Sequence, residues 1–390
     1  MIAALQASID AALAARARLR GRSVRETAHA VAEAAQRWAR DPALAAALPA
    51  AAGLSPAMLA TVLPIVADAI DADTLVELHD REAGPQPPDL VAHVLASNVP
   101  ALAVPAIAHA LLAGSAVVVK SGRADTHSAT AFHRALTAVD PALAAMVVTT
   151  YWKGGAGDGE DTILDRARVI VATGGDAATQ AIIRRYGSRV IAFGDRHSLA
   201  VLHPDVTDRV LDALATDVVL YEQRGCLSPH AIVVVGDDLL PVAERIMAAL
   251  ERHGHALPPP PLALQDRAAH RLAVETAVFA GGRVLDGAAG TVILDPSPRI
   301  GEAIGRRTVR LHAARSFADV TTTFPTHAIE CVGVGPGVRL DAEALRRHGV
   351  SRLCPIGRMQ RPRVDWPRGQ RPALGTLFRA AGEPRIQVES

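Results

Sequence analysis

The chain has 390 residues, and its 41 basic residues nearly balance its 40 acidic ones, which leaves a formal net charge of +1. This length predicts two domains, each with its own apolar core. The charge balance gives no electrostatic reason to expect nucleic acid or an anionic membrane as a partner. Three cysteines are too few for a disulfide framework, and the N-terminus has no secretory pattern, so we expect a cytoplasmic protein.

The first part of the chain, up to about residue 80, is alanine-rich and predicts amphipathic helices. Breaks are expected at Asp41-Pro42, Gly53 and Ser55-Pro56, because Asp or Ser before Pro is typical of a helix start. After a proline-rich turn at 84–88, short apolar strands alternate with helices. Strands are predicted at 90–95, 116–120, 145–151, 169–172 and 190–193, with a helix ending at 112 and others starting near 126 and at 176.

A second region begins near His203 and repeats the alternation, with a predicted helix at 206–216 and a loop at the proline run 258–261. Its strands are predicted at 231–235, 291–294, 308–311 and 329–334. Strands that alternate with helices indicate a parallel sheet covered on both faces. The expected division is 1–202, 203–370 and a C-terminal tail at 371–390.

One apolar run, 99–119, is long enough to resemble a membrane span. Prolines at 100 and 105 and a glycine at 114 divide it into a helix and a strand, so we expect no membrane span.

Two residue types that are rare in this chain fall in one strand-loop-helix-strand segment. Asn98 is the only asparagine, and Lys120 is one of just two lysines. A composition that has lost nearly all Asn and Lys is expected to keep them where chemistry allows no substitute. Without a functional role, Asn98 would be an ordinary turn residue and Lys120 a solvated strand end.

Cys226 follows a glycine in the segment 221–229, in a turn before a predicted strand. A thiol on such a turn can be exposed and activated, although a Gly-Cys pair taken alone is more often structural. The dipeptide Phe193-Gly194 closes a strand, with the glycine 32 residues (226 minus 194) before the cysteine.

With this interval the chain resembles the aldehyde dehydrogenase superfamily, in which a glycine turn precedes the nucleophilic cysteine by the same distance. Asn98 in Ser-Asn-Val-Pro, Lys120 after a valine run and Thr173-Gly174-Gly175 match further family motifs in the same order. Within this superfamily the chain resembles the bioluminescence-type fatty acyl-CoA reductases, and the segments 222–229 and 352–359 contribute to that resemblance. The resemblance implies an α/β fold with a Rossmann-type cofactor domain (1–202), an α/β catalytic domain (203–370) and a helical N-terminus.

The resemblance also implies the roles of single residues. Cys226 is the expected nucleophile, and the Asn98 amide with the Cys226 backbone amide is expected to stabilise the oxyanion. The positions expected to bind the cofactor are Lys120, Ser121, Arg123, Thr173, Gly174, Gly175, Phe193 and Gly194. A cation at Arg123 favours the 2'-phosphate of NADPH, and NADH is the alternative cofactor. The alternative for the residue itself is an exposed arginine that binds no ligand.

One departure from the hydrolytic aldehyde dehydrogenases bears on mechanism. Those enzymes carry a glutamate base two residues before the turn glycine, where this chain has Ala192. An acyl-cysteine without that base would survive to react with a thiol or a hydride. Glu222 is an alternative base, although a glutamate four residues before a turn is more often a surface residue or a group behind the site. Cys331 and Cys354 are expected as buried apolar residues, and no histidine pair has metal-ligand spacing, so no metal is expected.

The sequence therefore predicts an NADPH-dependent reductase that converts acyl-CoA, or an acyl group on a carrier protein, to an aldehyde through an acyl-cysteine. The competing functions are NAD(P)-dependent aldehyde oxidation, acyl phosphate reduction, and a non-redox acyltransferase or acyl-binding subunit. A homo-oligomeric state is left open.

Overall fold

The structure is a computed structural model that describes residues 2–154, 158–261, 264–297, 299–301, 303–323, 329–378 and 387–389. The chain divides into two compact units. The first unit is Met1–Asp195 with Arg363–Trp366 and Arg371–Glu383, and the second is Arg196–Pro362 with Pro367–Gln370 and Pro384–Ser390.

The first unit begins with helices and continues as an α/β layer structure. Its elements are α1 (Ile2–Arg18), α2 (Val24–Ala39), α3 (Pro42–Ala52), α4 (Pro56–Asp68), α5 (Ala72–Glu82), β1 (Leu90–Val94), α6 (Ala103–Leu112), β2 (Ala116–Lys120), α7 (Ser128–Val139), α8 (Pro141–Ala144), β3 (Val147–Thr150), α9 (Asp158–Leu164), β4 (Val169–Thr173), α10 (Asp176–Tyr186) and β5 (Val190–Phe193).

The predicted helix breaks of the N-terminal region are confirmed, and local chemistry explains them. The Asp41 side chain accepts hydrogen bonds from the amides of residues 43 and 44, and Ser55 accepts one from Met58, each directly before a proline in the first turn. Gly53 ends α3 in the left-handed region, at φ 61°.

No single helix among the described residues is both long and apolar enough to cross a membrane. The helices α3 and α4 reach that length only as a pair, with a bend of 116° between them.

The first unit has a five-stranded parallel sheet in the order β3-β2-β1-β4-β5. Alternate residues of the central strands, such as Leu90, Ala92 and Val118, form a core with Ile9 and Ala12 of α1. On α2, the buried Trp38 donates its indole N–H to the Ser128 carbonyl at the start of α7, at 3.2 Å. Helix α1 thus packs directly on the sheet.

The second unit contains an eight-stranded sheet. Its elements are β6 (His197–Leu202), α11 (Asp208–Val219), β7 (Pro229–Val235), α12 (Leu240–Ala256), α13 (Leu264–Phe279), β8 (Arg283–Asp286), β9 (Thr291–Leu294), β10 (Thr308–Ala314), β11 (Ile329–Val334), α14 (Ala342–Arg347), β12 (Arg352–Pro355) and β13 (Gln387–Val388). The order is β13-β12-β11-β6-β7-β10-β9-β8, and every neighbouring pair is parallel except β8 with β9.

Two expected boundaries differ from the structure. The second unit begins at Arg196, seven residues (203 minus 196) before the expected start, because β6 pairs with β7 and β11. The expected tail is structured where it is described: the amides of Leu374 and Gly375 donate to Glu82 in the first unit, at 2.9 and 3.1 Å, and β13 pairs with β12 in the second. Residues 379–386 and 390 of the tail lie outside the described residues.

Candidate active site

The sequence-predicted cofactor residues of the first unit lie at one edge of its sheet. Lys120, Thr173 and Phe193 are the last residues of β2, β4 and β5, and Asn98 is exposed in the loop after β1. Strand register aligns Lys120 with Val94, and Thr173 with Phe193. The strand order reverses at β1 and β4, and open α/β sheets bind nucleotides beyond the carboxyl ends of such strands.

Two residues that the sequence interpretation missed hold the loops at this edge together. A Cβ on Gly122 would lie 2.6 Å from the Ser97 side chain and 2.7 Å from the Ala96 backbone, so only glycine lets the loops after β1 and β2 touch. The buried Asp125 accepts hydrogen bonds from the amides of Ala101 and Ser128, both at 2.9 Å. The available sequence signal was an aspartate directly before the predicted helix start near residue 126, because an N-cap aspartate accepts the amide two or three residues further on.

The predicted cations at this edge differ in their surroundings. Lys120 is half-buried, its Nζ lies 5.7 Å from the centre of the Tyr151 ring, and burial lowers the pKa of its ammonium while the charge of Glu160 acts in the opposite direction. Arg123 is exposed, whereas Ser121 is buried and its amide donates to the Thr150 carbonyl at 2.9 Å.

Gly174, Gly175 and Gly194 lie around the first turn of α10. A Cβ on Gly194 would lie 2.0 Å from the Asp176 carboxylate, which accepts the amide of Asp195 at 2.9 Å. In return, the Asp195 carboxylate accepts the amide of Asp176 at 3.0 Å. This end of α10 therefore already holds two carboxylates, which disfavour a phosphate directly on the helix axis.

Ala192 lies in β5, where it pairs with Ala172 of β4. This position of the first unit therefore offers a methyl group and no carboxylate to activate water.

Cys226 of the second unit lies in a turn just before β7 and is half-buried. The three residues Tyr221, Glu222 and Gln223 precede it in the left-handed region, with φ of 58°, 54° and 57°. Each such non-glycine residue costs roughly 1–2 kcal/mol, so the surrounding structure must hold this backbone in place.

Buried side-chain contacts supply that support. Glu222 forms a two-point ion pair with Arg307, at 2.9 and 2.6 Å, and both side chains are almost fully buried. The Gln223 amide donates to the Pro229 and Thr308 carbonyls and accepts the Thr308 amide, each at 2.8 Å. Because Arg307 binds both carboxylate oxygens, Glu222 holds the Cys226 loop in place. This pairing gives no support to the alternative that Glu222 acts as a general base.

The thiol has a distinctive electrostatic environment. Burial raises the pKa of the Cys226 thiol to about 11, the charges of Arg368 and Arg196 act to lower it, and that of Glu330 acts to raise it. The buried Ser198 of β6 donates its hydroxyl to the Cys226 carbonyl at 2.6 Å and accepts the Cys331 amide at 3.0 Å. Ser198 thus fixes the Cys226 backbone to β6 and β11.

A second buried polar chain lies behind this loop. The Gln360 amide donates to the Ser228 hydroxyl at 2.8 Å and to the Asp217 carbonyl at 3.1 Å. The Asp217 carboxylate accepts the Gly357 amide at 2.5 Å, and burial raises its pKa to about 7 although that hydrogen bond acts to lower it. This explains part of the C-terminal segment 352–359 that the sequence comparison had singled out.

Arg352 at the start of the same segment is fully buried. It donates to the carbonyls of Met359 and Arg358 at 2.7 and 2.8 Å and pairs with Glu389. The segment therefore serves packing and backbone support.

The other two cysteines are buried, as expected, in β11 and β12, and their sulfur atoms lie 3.6 Å apart. Within the described ranges, no group of three or more His, Cys, Asp or Glu side chains could hold a metal ion.

Comparisons with known proteins give the family. A family model described as Acyl-CoA reductase (LuxC) matches residues 20–380. The long-chain acyl-protein thioester reductase of Aliivibrio fischeri is 25% identical over 285 residues, 70% of this chain and 59% of its own. The long-chain acyl-protein thioester reductase 2 of Photobacterium leiognathi is 25% identical over 279 residues, 68% of this chain and 58% of its own. The chain thus spans less than two thirds of the length of these relatives.

Solved structures give the fold. Aldehyde dehydrogenase 21 from Physcomitrella patens superposes with a TM-score of 0.76 at 16% identity, over 97% of this chain and 89% of its own. A NAD-dependent benzaldehyde dehydrogenase from Corynebacterium glutamicum gives 0.71 at 15% identity, over 91% and 86%. An NADP dependent enzyme from E. coli gives 0.72 at 18% identity, over 91% and 82%.

These matches confirm the predicted fold class and the predicted family. Since the family model covers nearly the whole length, the chain belongs to the acyl-CoA reductase (LuxC) family and has an aldehyde-dehydrogenase-like fold.

Proposed function

We propose that the chain reduces an acyl thioester to an aldehyde, with NADPH as reductant and with the acyl group carried covalently on Cys226. The observation that carries this proposal is a half-buried thiol on a supported turn, in a chain with Ala192 where the hydrolytic relatives have their base. Without a base to activate water, an acyl-cysteine lasts long enough to be reduced. Membership of the family supports the same reaction class.

The proposed steps use groups of the chain itself. The Cys226 thiolate attacks the thioester carbonyl carbon, and the tetrahedral oxyanion then collapses and expels the carrier thiolate. The Asn98 side-chain amide and the Cys226 backbone amide donate to the oxyanion, a role that the family resemblance supports. Bound at the carboxyl edge of the first sheet, NADPH would supply the hydride for reduction of the acyl group on Cys226. The thiohemiacetal oxyanion on Cys226 then expels the thiolate and releases the aldehyde.

The carboxyl edge of the first sheet fits a dinucleotide. It carries the half-buried Lys120 and the exposed Arg123, and Gly122 lets the two loops approach closely. In this proposal, Lys120 and Ser121 contact the adenosine ribose, and Arg123 contacts the 2'-phosphate that distinguishes NADPH from NADH. The rest of the cofactor would lie along five residues at the ends of β4 and β5 and the start of α10: Thr173, Gly174, Gly175, Phe193 and Gly194. The carboxylates of Asp176 and Asp195, which accept each other's amides, would disfavour the pyrophosphate on the axis of α10.

For the acyl donor we propose a thioester on a carrier protein, with coenzyme A as the alternative. The similarity to long-chain acyl-protein thioester reductases supports the protein carrier. A nucleotide cofactor and three unpaired cysteines also fit a cytoplasmic setting.

A substrate screen tests the proposal. Acyl-CoA and acyl-carrier-protein thioesters are supplied with NADPH or NADH, cofactor oxidation is followed, and mass spectrometry locates the acyl adduct. We expect aldehyde as product, an adduct on Cys226, and loss of activity in Cys226→Ala. An unchanged rate in Cys226→Ala would contradict the proposal, and free acid formed from aldehyde without a thiol would indicate an oxidising enzyme instead.

The role of Asn98 has a separate test. Asn98→Ala should lose on the order of a hundredfold in turnover, because one oxyanion donor is removed, while NADPH binding stays nearly unchanged. Equal losses in turnover and in cofactor affinity would instead indicate a loop-stabilising role.

A further inference from the structure

Three charged side chains of the second unit act on Cys226: Arg196, Glu330 and Arg368. They come from different parts of the chain, before β6, in β11 and in the segment 367–370.

Glu330 is the centre of this cluster. Its side chain is fully buried, its Oε2 lies 3.1 Å from the Arg196 Nε, and its Oε1 accepts the Gly369 amide at 2.8 Å and the Ser351 hydroxyl. Gly369 is left-handed, with φ 57°, and a Cβ there would lie 3.1 Å from the Arg196 Nη2. Glu330 therefore holds both Arg196 and the backbone next to Arg368.

The segment that carries Arg368 is anchored on its other side as well. The Gln370 side chain donates to the carbonyls of Arg346 and Val350, at 2.6 and 3.0 Å. With Gly369 fixed by Glu330 and Gln370 fixed to the end of α14, the half-buried Arg368 has a defined place in the second unit.

One nitrogen of the Arg196 guanidinium is a buried donor without an acceptor among the described residues. This atom, Nη1, is inaccessible to solvent and makes no hydrogen bond within the described part of the chain. Two residues further on, Ser198 bonds to the Cys226 carbonyl and to the Cys331 amide next to Glu330. A buried guanidinium donor without a partner favours an anion nearby, and leaving it unmatched costs stability.

We propose that Arg368 and Arg196, positioned by Glu330, stabilise the thiolate of Cys226 and so take the place of a general base in activating it. This inference rests on the proposed role of Cys226 as nucleophile. The thiol ionises by releasing its proton to water, and the two guanidinium charges lower the free energy of the resulting anion. Glu330 opposes them by its own charge, and its contribution is to fix their geometry.

Other titratable groups around Cys226 do not supply the same effect. His230 of β7 hydrogen-bonds the Gly225 backbone, and burial, with His197 nearby, lowers its pKa to about 3, so it is neutral in the working range. On the cysteine's own loop, Arg224 is exposed and Glu222 is paired with Arg307.

The test is the pH dependence of alkylation of the full chain by iodoacetamide, with mass spectrometry at Cys226 and no substrate or cofactor present. Cys226 is the accessible thiol of the three, since Cys331 and Cys354 are buried. Arg368→Gln and Arg196→Gln should each slow alkylation about tenfold at a fixed pH, because the thiolate fraction falls. Glu330→Gln keeps an oxygen for Gly369 and Ser351 but loses the ion pair that positions Arg196, so it should also slow alkylation, by less than Arg196→Gln because the opposing charge of Glu330 is lost with it.

A variant that keeps the charge separates an electrostatic role from a structural one. Arg368→Lys keeps the charge and should stay close to the wild-type rate, and Arg252→Gln, which neutralises an arginine of α12, is the matched control. Unchanged rates in both arginine variants, or Arg368→Lys slowed as much as Arg368→Gln, would overturn the proposal. Because no turnover is measured, reductase activity retained by Cys226→Ala would refute the proposed function without changing these rates.

Discussion

The first unit carries its candidate residues on the ends of parallel strands, whereas the second carries Cys226 on a left-handed loop tied by buried charges. Strand ends are placed by the sheet itself, so the first unit needs only close loop contacts such as that of Gly122. The second unit encloses two almost fully buried arginines, Arg307 and Arg352. The candidate cofactor residues are thus placed by the sheet topology, whereas the candidate nucleophile is placed by buried side-chain contacts outside its own loop.

The two units also have different spectroscopic signals, which makes the comparison measurable. All three tryptophans, Trp38, Trp152 and Trp366, belong to the first unit. Tryptophan fluorescence therefore reports unfolding of the first unit, and the part of the circular dichroism transition that fluorescence does not follow reports the second.

The largest expected effect comes from breaking the buried ion pair between Glu222 and Arg307 in the second unit. Glu222→Gln leaves the Arg307 charge buried without its partner and should lower the free energy of unfolding of that unit by about 3–5 kcal/mol. Urea unfolding by circular dichroism measures this change. Arg252→Met, which breaks the exposed pair with Asp212, should change it by less than about 1 kcal/mol. Equal losses in the two variants would remove the distinction between the units.

A pH-dependent effect is expected at Asp217. Its carboxyl keeps its proton in the folded state up to about pH 7 but loses it near pH 4 when unfolded, so stability is lost as the pH rises between these values. Asp217→Asn keeps an oxygen for the Gly357 amide, and it should remove about 2 kcal/mol of this loss between about pH 5 and pH 7. Urea midpoints across that range measure it, with Asp212→Asn on the same helix as control. A parallel pH profile in wild type and Asp217→Asn would contradict the assignment.

A smaller effect is expected at the cofactor edge. Gly122→Ala places a methyl group against the Ala96 backbone and should lower the tryptophan-reported stability by about 1–3 kcal/mol and weaken NADPH binding. Gly154→Ala is the control, because no atom lies within 4 Å of its Cβ position. Undisturbed cofactor affinity in Gly122→Ala would separate this loop contact from the cofactor site.

The smallest effect is expected at Arg123. Its removal in Arg123→Ala should reduce the preference for NADPH over NADH by about tenfold, or about 1.4 kcal/mol, through loss of a phosphate contact. Titration with both cofactors measures this ratio. Arg25→Ala, at an exposed position of α2, should leave it unchanged. The same ratio in both variants would contradict a contact between Arg123 and the 2'-phosphate.

Much of the first unit could be predicted from sequence because its signals are local. Helix starts at Asp41 and Ser55, and the strands 116–120 and 190–193, follow from capping residues and apolar runs. The supports of Cys226 could not be predicted, because Glu222 and Arg307 lie 85 residues apart and nothing local pairs them. The same holds for β6, whose assignment to the second sheet depends on pairing with β11.

The left-handed stretch before Cys226 has a consequence for how such proteins diverge. Residues 221–223 cannot adopt this backbone conformation independently of the rest of the unit, since they are held by Arg307 and by Thr308 at the start of β10. Grafting the loop alone onto a related scaffold would bring the strain without its support. Among homologues, positions 222 and 307 should therefore covary, changing together or not at all.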